Sequence, residues 1–150
     1  MRTADGQARP AGPAAGHPPR RFSELVRRRL AAHPPATRLL FDVAAVLGRT
    51  AAPDDVARML AQPVAVVLPA LRAALDSGLL VCEGDAVAFR HELVRQALLA
   101  TIPAPLRGAL HRQAAEMVLD RGGGAPAAAA HLVHGARRGD PRAVRVLGEA

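Results

Sequence analysis

The sequence contains no lysine, asparagine, tryptophan or tyrosine, and Cys82 is its only cysteine. The absence of lysine excludes a P-loop lysine, a Schiff-base lysine and a lysine general base. One cysteine cannot form an internal disulfide, which excludes a disulfide-stabilised secreted scaffold. No apolar run approaches the roughly 20 residues of a membrane span, and no apolar stretch follows the N-terminal arginines as it would in a signal peptide. These absences predict a cytoplasmic protein without a membrane partner.

Aromatic residues are also scarce, since the 150-residue chain has only three phenylalanines. Hydrophobic residues nevertheless make up 50% of the chain, so alanine and leucine must fill the core. These residues favour helices over sheets, since β-branched and aromatic side chains are the ones enriched in strands.

The net charge of +7 is concentrated near the N-terminus, where residues 1–29 carry a net +5 and the remaining 121 residues only +2. Such a basic segment is typical of a solvated tail, and it predicts at most weak, non-specific contact with DNA phosphates. The arginines that we expect to carry this charge next to the folded part are Arg20, Arg21, Arg27, Arg28 and Arg29.

Residues 1–21 are mostly Ala, Gly, Pro and Arg, with little to bury, which predicts a disordered tail. Hydrophobic spacing then predicts helices, in order, over residues 22–30, 37–47, 53–60, 63–77, 91–100, 105–120 and 127–138, with a last one from Pro141. Pro69 should kink or restart the fourth of these helices. Between residues 79 and 90 the spacing changes to that of a β-hairpin, with Val87 and Phe89 facing the core and Cys82 buried.

The periodic apolar residues of these helices are expected to face the core; they include Leu25, Leu39, Val64, Leu68, Leu93 and Leu106. Three helices followed by a hairpin is the order of a winged helix-turn-helix domain. The sequence therefore predicts a mainly α fold, with a winged-helix domain and its leading helix over residues 22–104. A separate helical-repeat region is expected over residues 105–150.

Three segments carry a resemblance to one family, and they occur in that family's order. FRHELVRQALLATIPAPLRGALHRQAAEMV (89–118) resembles the segment that follows the ATPase module in LuxR-type bacterial transcriptional regulators, which are signal-transduction ATPases with numerous domains. LVRRRLAAHPPATRLLFDVAAVLG (25–48) is similar to the start of that family's winged helix. AAHLVHGARRGDPRAVRVLGEA (129–150) is similar to its first tetratricopeptide-like repeat.

The resemblance implies a regulatory module that relays nucleotide state between an ATPase module and a helical-repeat sensor region. The implied partners are those two regions of a parent regulator, and ATP or ADP is the parent's cofactor. This chain has neither the Walker A loop nor the DNA-binding element of the family. It is therefore expected to be non-enzymatic and to hold no cofactor by itself.

His91 is the candidate residue that the resemblance singles out. Phe89-Arg90-His91-Glu92-Leu93-Val94 resembles the Met-His-Asp motif of related switch ATPases, including plant immune receptors, with Arg90 in place of Met and Glu92 in place of Asp. The motif's histidine approaches the β-phosphate of bound ADP and holds the closed state. This implies that His91 is a phosphate sensor. The alternative is that His91 caps a helix and packs on the hairpin.

Other sequence patterns that begin like phosphate-binding or zinc-binding motifs are incomplete. Gly122-Gly123-Gly124 has no Lys-Ser/Thr ending and is interpreted as a helix-to-helix linker. His91-Glu92 begins like a zinc-protease motif, but position 95 is arginine; His131 and His134 have no third ligand nearby in the sequence.

Two alternatives to the regulatory module stay open. The first is a free-standing winged-helix DNA-binding protein with an Arg-rich tail. Against it, the third winged-helix segment, residues 63–77, offers Arg72 and Ser77 to DNA while Asp76 cancels the charge. The second is a truncated, non-catalytic protein-interaction fragment.

Overall fold

Helices dominate the chain, as the alanine- and leucine-rich composition predicts. The computed structural model describes residues 19–135, and in that range it has seven helices and one three-stranded antiparallel sheet. The helices are α1 (Arg20–Ala31), α2 (Pro35–Leu47), α3 (Pro53–Met59), α4 (Val64–Asp76), α5 (Glu92–Thr101), α6 (Ala104–Asp120) and α7 (Ala125–Gly135). The strands are β1 (Thr50–Ala51), β2 (Leu80–Glu83) and β3 (Ala86–Phe89).

Proline defines where four of these helices begin. It occupies the N-cap position of α1, α2, α4 and α6, and none of these caps makes a side-chain hydrogen bond. The cap carbonyls still accept intrahelical bonds, as Pro34 does from the N–H of Arg38 (3.0 Å) and Pro103 from the N–H of Arg107 (2.9 Å). Proline at a helix start costs nothing, because its missing N–H would have no intrahelical partner there.

Pro69 does not restart the helix, since α4 runs continuously from Val64 to Asp76 with Pro69 inside it. A proline within a helix removes the hydrogen bond to the carbonyl four residues earlier, here that of Ala65. Both Pro69 and Ala65 are exposed, so water can satisfy that carbonyl. The solvent-facing position is the reason that the helix tolerates the proline.

The hairpin forms where the sequence predicts it, and β3 lies at the centre of the sheet in the order β1-β3-β2. Leu80 pairs with Phe89 and Cys82 with Val87, and both Val87 and Phe89 are buried as expected. Strand β1 has no counterpart in the sequence analysis, because two residues are too short to show a period. Its pairing with residues 87 and 88 of β3 covers the second edge of the central strand.

Cys82 is exposed, contrary to the expectation that it is a small buried hydrophobe. It lies on β2, which is an edge strand of the sheet, and an edge strand has neighbours on one side only.

Several leucines and valines that were assigned to the core are exposed instead. The helices that carry them have a wider apolar stripe than their neighbours cover, so residues at the margin of the stripe remain in solvent. The exposed ones are Leu25, Leu39, Val64, Leu68, Leu93 and Leu106.

One cluster of buried side chains extends from α1 to α7. The predicted boundary between residues 104 and 105 coincides with the start of α6, but residues on both sides of it belong to this cluster. Polar contacts join α6 and its C-terminal cap to α3 as well: Gln113 Nε2 donates to the Met59 carbonyl (2.9 Å), and Arg121 lies 3.0 Å from Asp55.

Helix α1 begins at Arg20 and so includes the last two residues of the predicted tail. Arg20 and Arg21 therefore belong to the first turn of a helix, and the prediction that they are tail residues is wrong. The predicted disorder of residues 1–18, and the helical predictions beyond residue 135, concern parts of the chain outside the described residues.

Between residues 19 and 135 no single helix is long and apolar enough to cross a membrane. One strongly bent pair, α3 with α4 at 112°, reaches the required length and composition only when the two helices are taken together.

The connection between α6 and α7 packs closely at Gly123. Its N–H donates to the Val118 carbonyl (2.7 Å), and a Cβ at this position would lie 2.6 Å from that carbonyl oxygen and 2.5 Å from Val118 Cγ1. At Gly124 the nearest atom to an added Cβ is Pro126 Cδ, at 3.4 Å.

We therefore predict that Gly123→Ala destabilises the protein by about 1–3 kcal/mol, because the backbone must shift to admit the methyl group. The matched variant Gly124→Ala should cost less than about 1 kcal/mol. Urea unfolding followed by circular dichroism measures both values. Equal stability of the two variants would contradict the close packing at Gly123.

Candidate functional site

His91 occupies the N-cap position of α5, directly after the hairpin. Its backbone is extended (φ −134°, ψ 135°), and its imidazole makes no capping hydrogen bond to the helix. The residue is exposed. The position is thus that of a helix cap, while the ring itself is available to solvent.

His91 lines a groove of about 350 Å³ between α1, the α4–β2 connection and the start of α5. We call it the His91 groove. It is lined by Phe22, Leu25, Val26, Arg29, Ser77, Gly78, Leu79, Arg90, His91 and Val94. The fold therefore brings together two residues that the sequence analysis singled out separately, Arg29 and His91, and adds Arg90.

Both arginines are held by the carbonyls at the end of α4. Arg29 donates from a terminal nitrogen to the Ser77 carbonyl (2.6 Å), and Arg90 donates from Nε to the Gly78 carbonyl (3.0 Å). Ser77 Oγ fixes this turn by donating to the Ala74 carbonyl (2.6 Å). A guanidinium has five N–H donors, so one backbone bond orients the group and leaves further donors for a ligand.

The electrostatics of the groove suit an anion. The described lining residues include no carboxylate, and His91 stands at the positive end of the α5 dipole. The C-terminal end of α4 also lines the groove, and its carbonyls at Ser77 and Gly78 are bonded by the two arginines. Glu92, the acid in the first turn of α5, is paired with Arg95 at 2.7 Å. Its charge is thereby partly neutralised beside the groove.

These residues fit the end of a phosphate chain better than a whole nucleotide. Two guanidinium groups, an imidazole and a helix N-terminus can hold a terminal phosphate. The triglycine segment that a phosphate loop would need lies elsewhere, in the α6–α7 connection after Arg121. The rest of a nucleotide would have to be held by another protein module.

The other arginines that were predicted to carry the basic charge lie apart from the groove lining. Arg20, Arg21, Arg27 and Arg28 are exposed residues of α1. Of the five, Arg29 alone is in the lining. The sequence contained no signal for this difference, because only the packing of α1 on α5 decides which arginine faces the groove.

The sequence analysis considered His131 and His134 as a pair of metal ligands. In the structure His131 lies next to His111, which the sequence analysis did not name. Its Nδ1 lies 3.2 Å from Nδ1 of His111 on α6. The side chain of His134 lies outside the description. Within residues 19–135 no group of three or more histidine, cysteine or acidic side chains is placed to hold a metal ion.

Comparison with protein-family models, with curated proteins and with solved structures gives no significant match to this chain.

The exposed ring of His91 leads to a prediction about stability. His91→Ala should change the free energy of unfolding by no more than about 0.5 kcal/mol, because the side chain makes no capping bond and is not packed in the core. Phe89→Ala, two residues earlier and fully buried, should cost about 3–5 kcal/mol. Urea unfolding of the two variants provides the comparison. A loss above about 1.5 kcal/mol for His91→Ala would identify the residue as a structural cap.

Proposed function

We propose that this chain is a winged-helix regulatory module of the kind found in LuxR-type ATPase transcriptional regulators, relaying nucleotide state between an ATPase module and a helical-repeat region. The observation that carries the proposal is the convergence of Arg29, Arg90 and His91 at the N-terminus of α5. These residues come from two segments more than 60 positions apart in the sequence.

The arrangement of elements supports the winged-helix part of the proposal. From α2 to β3 the order is helix, short strand, two helices and a hairpin, and the sheet order is β1-β3-β2. A winged helix-turn-helix has this order, with the hairpin as its wing. Helices α6 and α7 pack against each other after it, and they would start the repeat layer.

The surface of α4 favours contact with protein over reading of DNA. This helix is the one that would enter the major groove in a DNA-binding relative. Its exposed side chains include Val66 (58% exposed) and Leu68 (45%), whereas its single arginine is Arg72, four residues before Asp76. One arginine cannot neutralise the several phosphates on which DNA affinity depends.

In the proposed mechanism the His91 groove is a sensor for the terminal phosphate of ADP held by an ATPase module. His91 donates from its ring to a phosphate oxygen, and the two arginines add charge and orientation. A contact of this kind, present only in the closed state, biases the equilibrium between closed and open states. One charge-assisted hydrogen bond contributes about 1.5–3 kcal/mol, which corresponds to a shift of roughly ten- to hundredfold.

The corresponding prediction concerns ADP release from an ATPase module of this regulator class bound to the chain. His91→Ala should increase the ADP dissociation rate by about ten- to hundredfold, because one phosphate contact is lost. Glu92→Ala is the control and should have a smaller effect, since a carboxylate cannot be the phosphate contact. Stopped-flow release of a fluorescent ADP analogue measures the rates.

A measurement on the chain alone complements this test. Pyrophosphate added to the isotope-labelled protein should shift the ring resonances of His91, and Arg29→Gln should weaken that response. If ADP release is unchanged by His91→Ala, and pyrophosphate does not affect the ring, the phosphate-sensing function is wrong.

The regulatory module that we propose also makes a prediction about DNA. If DNA binding is weak and depends on the N-terminal arginines, deleting residues 1–18 should reduce affinity for a DNA duplex at low salt by a factor of several. The deletion removes Arg2 and Arg9 and leaves α1 whole, because the helix begins at Arg20. The electrostatic origin also requires affinity to fall steeply as salt is raised. Fluorescence anisotropy measures both effects. Undiminished affinity, or a strong preference for one sequence, would support the free-standing DNA-binding protein.

A further inference from the structure

Helix α1 carries apolar side chains that lie outside the core and are bordered by arginines. A second, more open groove of about 630 Å³ runs along this helix and shares Phe22 and Leu25 with the His91 groove. Leu25 is 55% exposed, and Phe22 is partly exposed. We call these two residues, together with Arg21 and Arg28 in the lining of the second groove, the α1 surface.

The two arginines of the α1 surface are exposed and lie on the same face of the helix as Leu25. Leu25 follows Arg21 by four residues and precedes Arg28 by three, and residues at these spacings are neighbours on a helix. A rise of 1.5 Å per residue separates the two arginines by about 10 Å along the axis. Neither of them forms an ion pair with a carboxylate in the described part of the chain.

The charge of the α1 surface favours an acidic occupant from another protein. Glu24 is the single acid in the lining of the second groove. The chain's own flanks are basic, since residues 1–18 have two arginines and one acid, and residues 136–150 have four arginines and two acids. A second copy of the chain carries the same net charge of +7. Charge complementarity therefore points to an acidic segment of a different protein.

An anionic membrane is another surface that basic and apolar side chains can bind together, but two observations favour a peptide. Leu25 is the one large apolar side chain of this lining that is mostly exposed, whereas a helix that binds a bilayer inserts a whole apolar face. The carboxylate of Glu24 belongs to the same lining and would repel anionic headgroups.

We propose that the α1 surface docks an acidic amphipathic helix of a partner protein. Apolar side chains of that helix contact Phe22 and Leu25, and two carboxylates seven residues apart pair with Arg21 and Arg28. Anchors at helical spacing are the usual basis for recognising a helix in a shallow groove. The phosphate contacts proposed for His91 involve other arginines, so this proposal does not depend on the phosphate-sensing function.

The test uses three fluorescein-labelled helical peptides and fluorescence anisotropy with the full chain. The first peptide has fifteen residues of alanine and glutamine, with glutamates at its fourth and eleventh positions and leucines at its seventh and eighth. The second has the same composition, but both glutamates are moved two positions along, which turns them to the opposite face. The third keeps the glutamates and replaces both leucines with alanine.

We expect the first peptide to bind saturably with a Kd below about 1 mM. Moving the glutamates should weaken binding about fivefold, because two exposed ion pairs are lost. Removing the leucines should weaken binding about tenfold, because the apolar contact is lost.

Two double variants connect the preference to particular arginines. Arg21→Gln with Arg28→Gln should make the first two peptides bind equally. Arg20→Gln with Arg27→Gln is the matched control, because it removes the same charge at the same spacing from exposed positions of α1 outside both linings. This control should keep the preference for the first peptide.

A further pair of variants tests the apolar contact. Leu25→Glu should abolish binding of the first peptide, since it places a carboxylate where the leucines dock. Leu106→Glu, at a 59% exposed position of α6, adds the same charge outside both linings and should leave binding unchanged. Thermal unfolding followed by circular dichroism shows whether each variant is folded.

A preference for the first peptide that is lost only with Arg21 and Arg28 supports the proposal. Equal binding of the first two peptides by the unaltered chain, or the same loss of preference in both double variants, would overturn it.

Two further measurements test other occupants. Co-sedimentation with vesicles of equal parts phosphatidylcholine and phosphatidylserine that Leu25→Glu abolishes, without any peptide preference, would assign the surface to a membrane. A dimer in analytical ultracentrifugation that Leu25→Glu dissociates would assign it to a second copy. Either result would overturn the proposal. None of these measurements concerns ADP release, so failure here is distinguishable from failure of the proposed function.

Discussion

The pairing of β3 with both of its neighbours is the interaction on which the candidate site depends. The N–H of Phe89 donates to the Arg49 carbonyl beside β1 (2.9 Å), and the N–H of Arg90 donates to the Leu79 carbonyl beside β2 (3.0 Å). Phe89 itself is 1% exposed. The chain is thus hydrogen-bonded on both sides and buried in the core immediately before His91, which is the N-cap residue of α5. The position of the imidazole follows from these contacts, although the imidazole makes none of them.

Arginine has a second structural use in this protein besides charge. Four guanidinium groups donate to backbone carbonyls far from their own position in the chain or at the end of the preceding helix: Arg29, Arg90, Arg95 and Arg107. A planar group with several donors can satisfy a carbonyl and still offer N–H groups to a ligand, which a lysine ammonium does less well. The His91 groove is built in this way.

Helix α5 has His91 at its start and Arg95 one turn further on, where the guanidinium group donates to the Ala45 carbonyl of α2. It also packs against α1 and α2, and its buried residues Ala97 and Leu98 are completely inaccessible. A well-packed helix keeps His91 at a constant distance from the residues that follow it in α5. The regulatory function that we propose requires such an element. A change in the phosphate contact at the start of α5 must alter the position of the helices that follow it.

The sequence by itself determined the features that depend on neighbouring residues. Apolar spacing and proline positions located the helices to within a few residues, and the change of period after Gly78 located the hairpin, because both patterns reflect local backbone geometry. It also placed His91 at a helix start. The tertiary structure decided the rest: that α4 continues through Pro69, that Cys82 and Leu68 are exposed, that β1 exists, and which arginine of α1 lines the His91 groove. Arg29 and His91 line one groove, and His111 and His131 lie in contact, only because separate helices pack together. No periodic pattern records which part of an apolar stripe a neighbouring helix will cover, since that depends on contacts between residues distant in the chain.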